Sequence, residues 1–142
     1  MDLRLLGRAV LVWLAIVAAE TLHGIARTLW LEPVVGEFRA RQIAFGSGCL
    51  IIFVVACLLS RWLGARTVKE QFLVGLLWAL LMAAFEVVLG RLAFGFPWER
   101  IFQEYDLSRG GLMGFGLLWM ILVPWLAALC VDAFRSRARA RH

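Results

Sequence analysis

The sequence predicts an all-α integral membrane protein, a four-helix up-down bundle with almost no mass outside the bilayer. Three observations predict it. Hydrophobic residues make up 63% of the 142-residue chain, against about 45–50% in a soluble domain. Four apolar stretches are long enough to cross a bilayer. The basic residues cluster at one set of connections and not at the other.

A helix needs about 20 mostly apolar residues to cross the hydrocarbon core. The stretches at about 9–30, 42–60, 71–94 and 110–131 meet that length, and the second and fourth carry no charged residue. Short connections between them dictate antiparallel neighbours. The chain therefore reads as one transmembrane domain over residues 1–142, ending in a basic tail at 132–142.

Orientation follows from Arg and Lys placement. Arg4, Arg8, Arg61, Arg66, Lys69, Arg135, Arg137, Arg139 and Arg141 fall on one side of the four spans, with only Asp2, Glu70 and Asp132 beside them. Nine bases against three acids give that side +6, while six Arg against seven acids give the other −1. The N- and C-termini are therefore expected in the cytoplasm. This placement accounts for the basic balance through the anionic inner leaflet, and nucleic acid is not an expected partner. Lys69 is the one lysine among fifteen basic residues, a bias of GC-rich bacterial genomes. The expected location is a bacterial inner membrane. Trp13, Trp30, Trp62 and Trp98 lie at or near span ends, as an aromatic belt requires.

Arg4, Arg8, the apolar run from Ala9 and the pair Ala18-Ala19 resemble a cleavable signal peptide. An internal repeat argues against cleavage. Ala18-Ala19, then Glu20, then Gly24 matches Ala83-Ala84, then Glu86, then Gly90. Glu37-Phe38 followed by Arg41, Gly46 and Gly48 matches Glu104-Tyr105 followed by Arg109, Gly114 and Gly116. The offset is 66 residues from Glu20 to Glu86 and 68 from Arg41 to Arg109. The first span then has its counterpart in the third. The expected arrangement is two tandem hairpins related by a pseudo-two-fold axis along the membrane normal.

The intramembrane charges are the candidate site. Counted from Arg8, Glu20 lies about 18 Å deep in a core about 30 Å thick. Glu86 lies about 24 Å from Glu70. A charge at the bilayer centre costs about 2.5–3.5 kcal/mol on insertion scales, so each carboxyl must be paired, protonated or wetted. Glu20, His23, Gly24 and Arg27 share one helix face, and the column could form an ion pair or a proton path. Arg91 follows Glu86 at i+5 and points elsewhere. Glu37, Arg39, Arg41, Glu104, Tyr105, Asp106 and Arg109 form a candidate vestibule above the two Glu residues. The alternative reads these acids as helix starts, which favour negative charge, with Ser108 as an N-cap. Ala40, Ala44 and Gly48, like Gly110 and Gly114, recur every four residues, the spacing of close helix packing. Pro124 should kink the fourth span.

Cys49, Cys57 and Cys130 sit in apolar stretches without metal-ligand or redox spacing. No metal and no cofactor is expected. The first functional reading is a transporter or channel component that moves a proton, cation or small charged solute past Glu20 and Glu86. Four helices make a thin pore, so such a role calls for a homodimer or larger complex. The second reading is a non-catalytic accessory or assembly subunit. A lipid- or quinone-modifying enzyme is less favoured, because no nucleophile motif or second intramembrane His is present.

Overall fold

The computed structural model describes residues 2–140; Met1, Arg141 and His142, the last two from the expected basic tail, lie outside the described residues. The described chain is helical, with α1 at Leu3–Ala26, α2 at Glu32–Val35, α3 at Glu37–Leu63, α4 at Val68–Val88, α5 at Trp98–Gln103 and α6 at Met113–Arg139. π-helical turns at Arg27–Leu31 and Leu89–Ala93 extend α1 and α4. Four helical stretches, Leu3–Val35, Glu37–Leu63, Val68–Ala93 and Met113–Arg139, are long and apolar enough to cross a membrane.

Local chemistry sets the helix ends. The Asp2 side chain caps α1 by accepting from the Leu5 N–H at 2.7 Å. Thr67 and Glu70 form a reciprocal capping box at the start of α4, which satisfies two orphan backbone donors. The N–H groups of Thr67 and Arg66 hold the Glu70 carboxyl below its ordinary range. Gly64 closes α3 in the left-handed region at φ 76°, where a Cβ would be strained. These polar ends carry the helices beyond the apolar stretches read from sequence. The exception is α6, which begins at Met113 and not at 110. Gly110 turns left-handed at φ 80° behind a 3-10 turn, and the Met113 N–H donates to the Glu104 carbonyl. Asp106, not Ser108, is the cap there: its carboxylate accepts from the Ser108 N–H at 3.0 Å.

The principal packing contacts form a ring: α1 on α3, α3 on α6, α6 on α4, and α4 on α1. Contacts of α1 with α3 run in opposite chain directions, from Arg8 beside Gly64 to His23 beside Ser47. Those of α4 with α6 do the same, with Phe72 stacked on Trp125 and Gly75 against Ile121. The expected two-fold axis along the helices does not fit this ring. Such an axis places α1 and α4 on one diagonal, whereas here they are neighbours and α1/α6 and α3/α4 are the diagonals.

Burial nevertheless shows common offsets in the two halves of the chain. Leu5, Ala9, Val12 and Ile16 are buried in α1, and Gln71, Gly75, Trp78 and Met82 are buried 66 residues later in α4. Ile52 and Ala56 of α3 correspond at 68 residues to buried Met120 and Pro124 of α6. The lower half of the bundle, toward the chain start, is solidly packed by Val12, Ile16, Val74, Trp78, Met120 and Val123, all fully buried. The Trp78 indole N–H donates to the Ala9 carbonyl at 2.8 Å, and the Trp119 indole N–H donates to the Cys49 carbonyl at 2.9 Å. Each bond ties one hairpin to the other and contributes about 1 kcal/mol. Outside, the bundle is apolar: Leu50, Leu58, Leu80 and Leu118 are all more than half exposed.

Small residues matter at one place that the spacing argument does not single out. A Cβ on Gly75 would run into the backbone of Ile121. Gly114 has open space there, and Gly110 lies outside any helix. The expected helix packing at those two positions is not found. Gly75→Val is expected to separate α4 from α6 and to destabilise the protein by about 3 kcal/mol, the upper range for overpacking. Thermal unfolding in detergent measures this, with Gly114→Ala as a nearly neutral control.

Candidate functional site

Above the packed half, the four long helices part around a cavity of about 880 Å³. Glu20 and Glu86 both line it, although they come from different hairpins. Its deep end is made by Ile52, Met82 and Met120, directly over the buried layer containing Ile16 and Trp78. The cavity therefore opens upward and is closed below.

Glu20 sits against the backbone of Gly48, where an added Cβ would lie 2.9 Å from its Oε2. The glycine makes room for a carboxylate and not for a neighbouring helix. Ala44, one turn away and buried, lines the same wall. Glu20 Oε2 lies 3.7 Å from His23 Nδ1, and its Oε1 is buried without a hydrogen-bond partner. The other ring nitrogen of His23, Nε2, is 2.8 Å from the Ser47 hydroxyl on α3. Ser47 in turn donates to the Ile43 carbonyl at 3.0 Å. Glu20, His23 and Ser47 thus form a chain of exchangeable groups across the α1–α3 contact. Sequence reasoning missed Ser47, although a hydroxyl between Gly46 and Gly48 in an uncharged span was a visible signal.

Arg27 does not complete the column with Glu20. It opens the π-helical turn, which redirects the helix, and it pairs with Glu32 at 3.4 Å. π-Turns of this kind often lie at functional sites. Both π-turns here border the cavity, through Arg27 on α1 and through Leu89 and Gly90 on α4. Glu86 makes no ion pair among the described residues. Tyr105 lies close enough that burial, and then the Glu86 charge, hold its hydroxyl above the ordinary range.

The vestibule residues divide into two groups. Glu37, Arg41, Glu104 and Tyr105 line the cavity, together with Glu32 and Arg100. Arg41 bridges Glu37 at 3.1 Å and Glu104 at 3.7 Å, which clamps the start of α3 to the second hairpin. Arg39, Asp106 and Arg109 do not line it. Asp106 pairs with Arg109 at 3.4 Å, and its hydrogen bonds from Ser108 hold its carboxyl below the usual range. Arg91 turns away, donating to the Phe96 carbonyl at 2.9 Å with its guanidinium over Trp98. Among the described residues, no group of three or more His, Cys, Asp or Glu converges as a metal site.

Every Asp and Glu at the mouth named here has an arginine within ion-pair distance, and the two deep Glu residues have none. Gly48→Ala is expected to leave the fold intact, since the obstructing atom is the tip of a flexible side chain, and to displace the Glu20 carboxylate. Infrared difference spectra against Glu20→Gln should then show a shifted Glu20 carboxyl band at an unchanged melting temperature. An unshifted band would mean that Gly48 does not position the carboxylate. No family model matches the chain, and neither the curated proteins nor the solved structures contain a significant match.

Proposed function

We propose that the four apolar helices span a bacterial inner membrane as two tandem up-down hairpins, with both termini in the cytoplasm. In that setting the cavity moves a proton, a cation or a small charged solute past Glu20 and Glu86. One observation carries this reading: two carboxylates 66 residues apart in the chain line a single cavity, and among the described residues no arginine lies within ion-pair distance of either.

Several features support membrane placement. The outward faces carry exposed leucines where a soluble bundle would carry charge. The closed lower half lies toward the +6 side and the cavity opens toward the −1 side. Lipid tails are as apolar as leucine, so helix association there rests on packing and interhelical hydrogen bonds. The Gly75 contact and the two Trp bonds supply both. The shared burial pattern at offsets of 66 and 68 supports an origin by duplication.

Movement of a solute requires the floor of Ile16, Trp78 and Met120 to open in a second state or in an assembly of chains. The closed floor also favours a second reading, an accessory subunit of a larger membrane complex whose charges fasten its own helices. Flux into liposomes containing the purified protein separates the two. Transport predicts that Glu20→Gln and Glu86→Gln each reduce flux by about tenfold or more, the loss of about 1.4 kcal/mol of favourable interaction. Equal flux from all three proteins ends the transport reading, and a stoichiometric partner retained from native membranes would favour the second.

A further inference from the structure

The cavity has two characters at once, and together they specify a class of solute. Five carboxylates and three guanidinium groups line it, an excess of two negative charges with His23 neutral. The arginines lie at the mouth: Arg27 and Arg41 are engaged by Glu32, Glu37 and Glu104, and Arg100 lies over the Phe96 ring at 4.1 Å. The uncompensated negative charge is therefore at depth, on Glu20 and Glu86.

The walls between the carboxylates are apolar and aromatic. Phe45, Phe85, Met82 and Leu117 line the same space. A bare inorganic cation would gain the carboxylates but nothing from the apolar and aromatic wall. Among the described residues, no group of three or more His, Cys, Asp or Glu converges there to hold a metal ion. A cation with an apolar body loses little hydration, buries that body against the walls and places its charge near a ring face, where the quadrupole attracts it.

The route in points the same way. Two contacts join α1 to α4: the Trp78 bond to Ala9 below the cavity, and a T-shaped pairing of Trp13 with the cavity-lining Phe85. Higher up, Ile25 and Leu29 of the first helical stretch line the cavity while remaining 51% and 62% exposed. The cavity wall is thus continuous with the apolar outside of the bundle at Ile25 and Leu29. The volume of about 880 Å³ falls in the range of pockets that enclose a drug-sized ligand.

We infer that the site binds a lipophilic organic cation, a quaternary ammonium or phosphonium-like group on an apolar body, with Glu20 and Glu86 as counter-charges. The inference rests on the reading of the cavity as a solute site and narrows its substrate class. The ligand enters from the apolar side past Ile25 and Leu29. Phe45 and Phe85 supply wall contacts, and Gly48 leaves the space in which the Glu20 carboxylate sits.

Equilibrium binding of tetraphenylphosphonium to the full chain in zwitterionic lipid nanodiscs tests it, with protein-free nanodiscs subtracted. Saturable binding is expected, with tetramethylammonium competing at least about tenfold more weakly and Na⁺ weaker still. Glu20→Gln and Glu86→Gln should each weaken it by about tenfold or more. Phe45→Leu, which retains both charges and most of the volume, should weaken it by about threefold or more. Absence of saturable binding overturns the inference. So does equal competition by tetramethylammonium, or unchanged affinity in the double Glu variant or in Phe45→Leu. If either Glu variant fails to fold, the Phe45→Leu result decides. Inorganic-cation flux without tetraphenylphosphonium binding sinks this inference and leaves transport standing. Binding without any flux does the reverse.

Discussion

The approach of α4 to α6 at Gly75 is the contact on which the remaining architecture depends. With no side chain at that position, the backbone of Ile121 lies directly against α4. That closeness brings Val74 and Trp78 into the same layer as Met120 and Val123 and leaves all four fully buried. Trp78 then reaches Ala9 and fastens the first hairpin to the second. The result is a bundle that is solid in one half. The helices part only above Ile52, Met82 and Met120, so the cavity exists because its floor is so tightly made.

Charge is distributed according to that division. At the mouth, acids and arginines neutralise one another: Arg41 alone serves Glu37 and Glu104. Exposed pairs of this kind contribute little to stability, about 0–1 kcal/mol each. Their effect is to remove positive charge from competition for the deep carboxylates. Glu20 is left with His23 at 3.7 Å, and Glu86 has Tyr105 and the like-charged Glu104 in its neighbourhood. Glu20 is half-buried with its Oε1 unpartnered, which costs stability, whereas Glu86 is exposed on the cavity wall.

Much of the fold was legible because long apolar runs are a strong signal. The helices proved longer than those runs, since polar caps such as Asp2 and the Thr67–Glu70 box add turns that hydropathy does not count. The likeness of the two halves was visible in the sequence, and the buried residues of α1 and α4 show the same offset of 66. What it could not supply was the spatial operator. Equivalent segments in a chain can be stacked side by side or rotated about an axis, and only the contacts of α1 with α4 distinguish the two. Glycine spacing misled in the same manner. Gly110 and Gly114 recur at four residues yet serve a turn and an open surface, whereas Gly75, followed at four residues by buried Ala79, makes the decisive contact. Of the cavity lining, Glu20, His23 and Glu86 were visible as ionisable residues inside apolar runs. The turn of Arg27 toward Glu32 was not, because it depends on a π-helical register that no local motif announces.

The central claim is that water reaches both deep carboxylates from one face only, over a sealed floor. Cysteine accessibility tests it most directly. In a background with Cys49, Cys57 and Cys130 replaced by Ala, single cysteines at positions 20, 86 and 74 would be challenged in oriented membrane vesicles with an impermeant thiol reagent. The account predicts labelling at 20 and 86 from the periplasmic face alone, and none at 74 from either face. Labelling of 20 or 86 from the cytoplasmic face, or protection of both from each side, would contradict it.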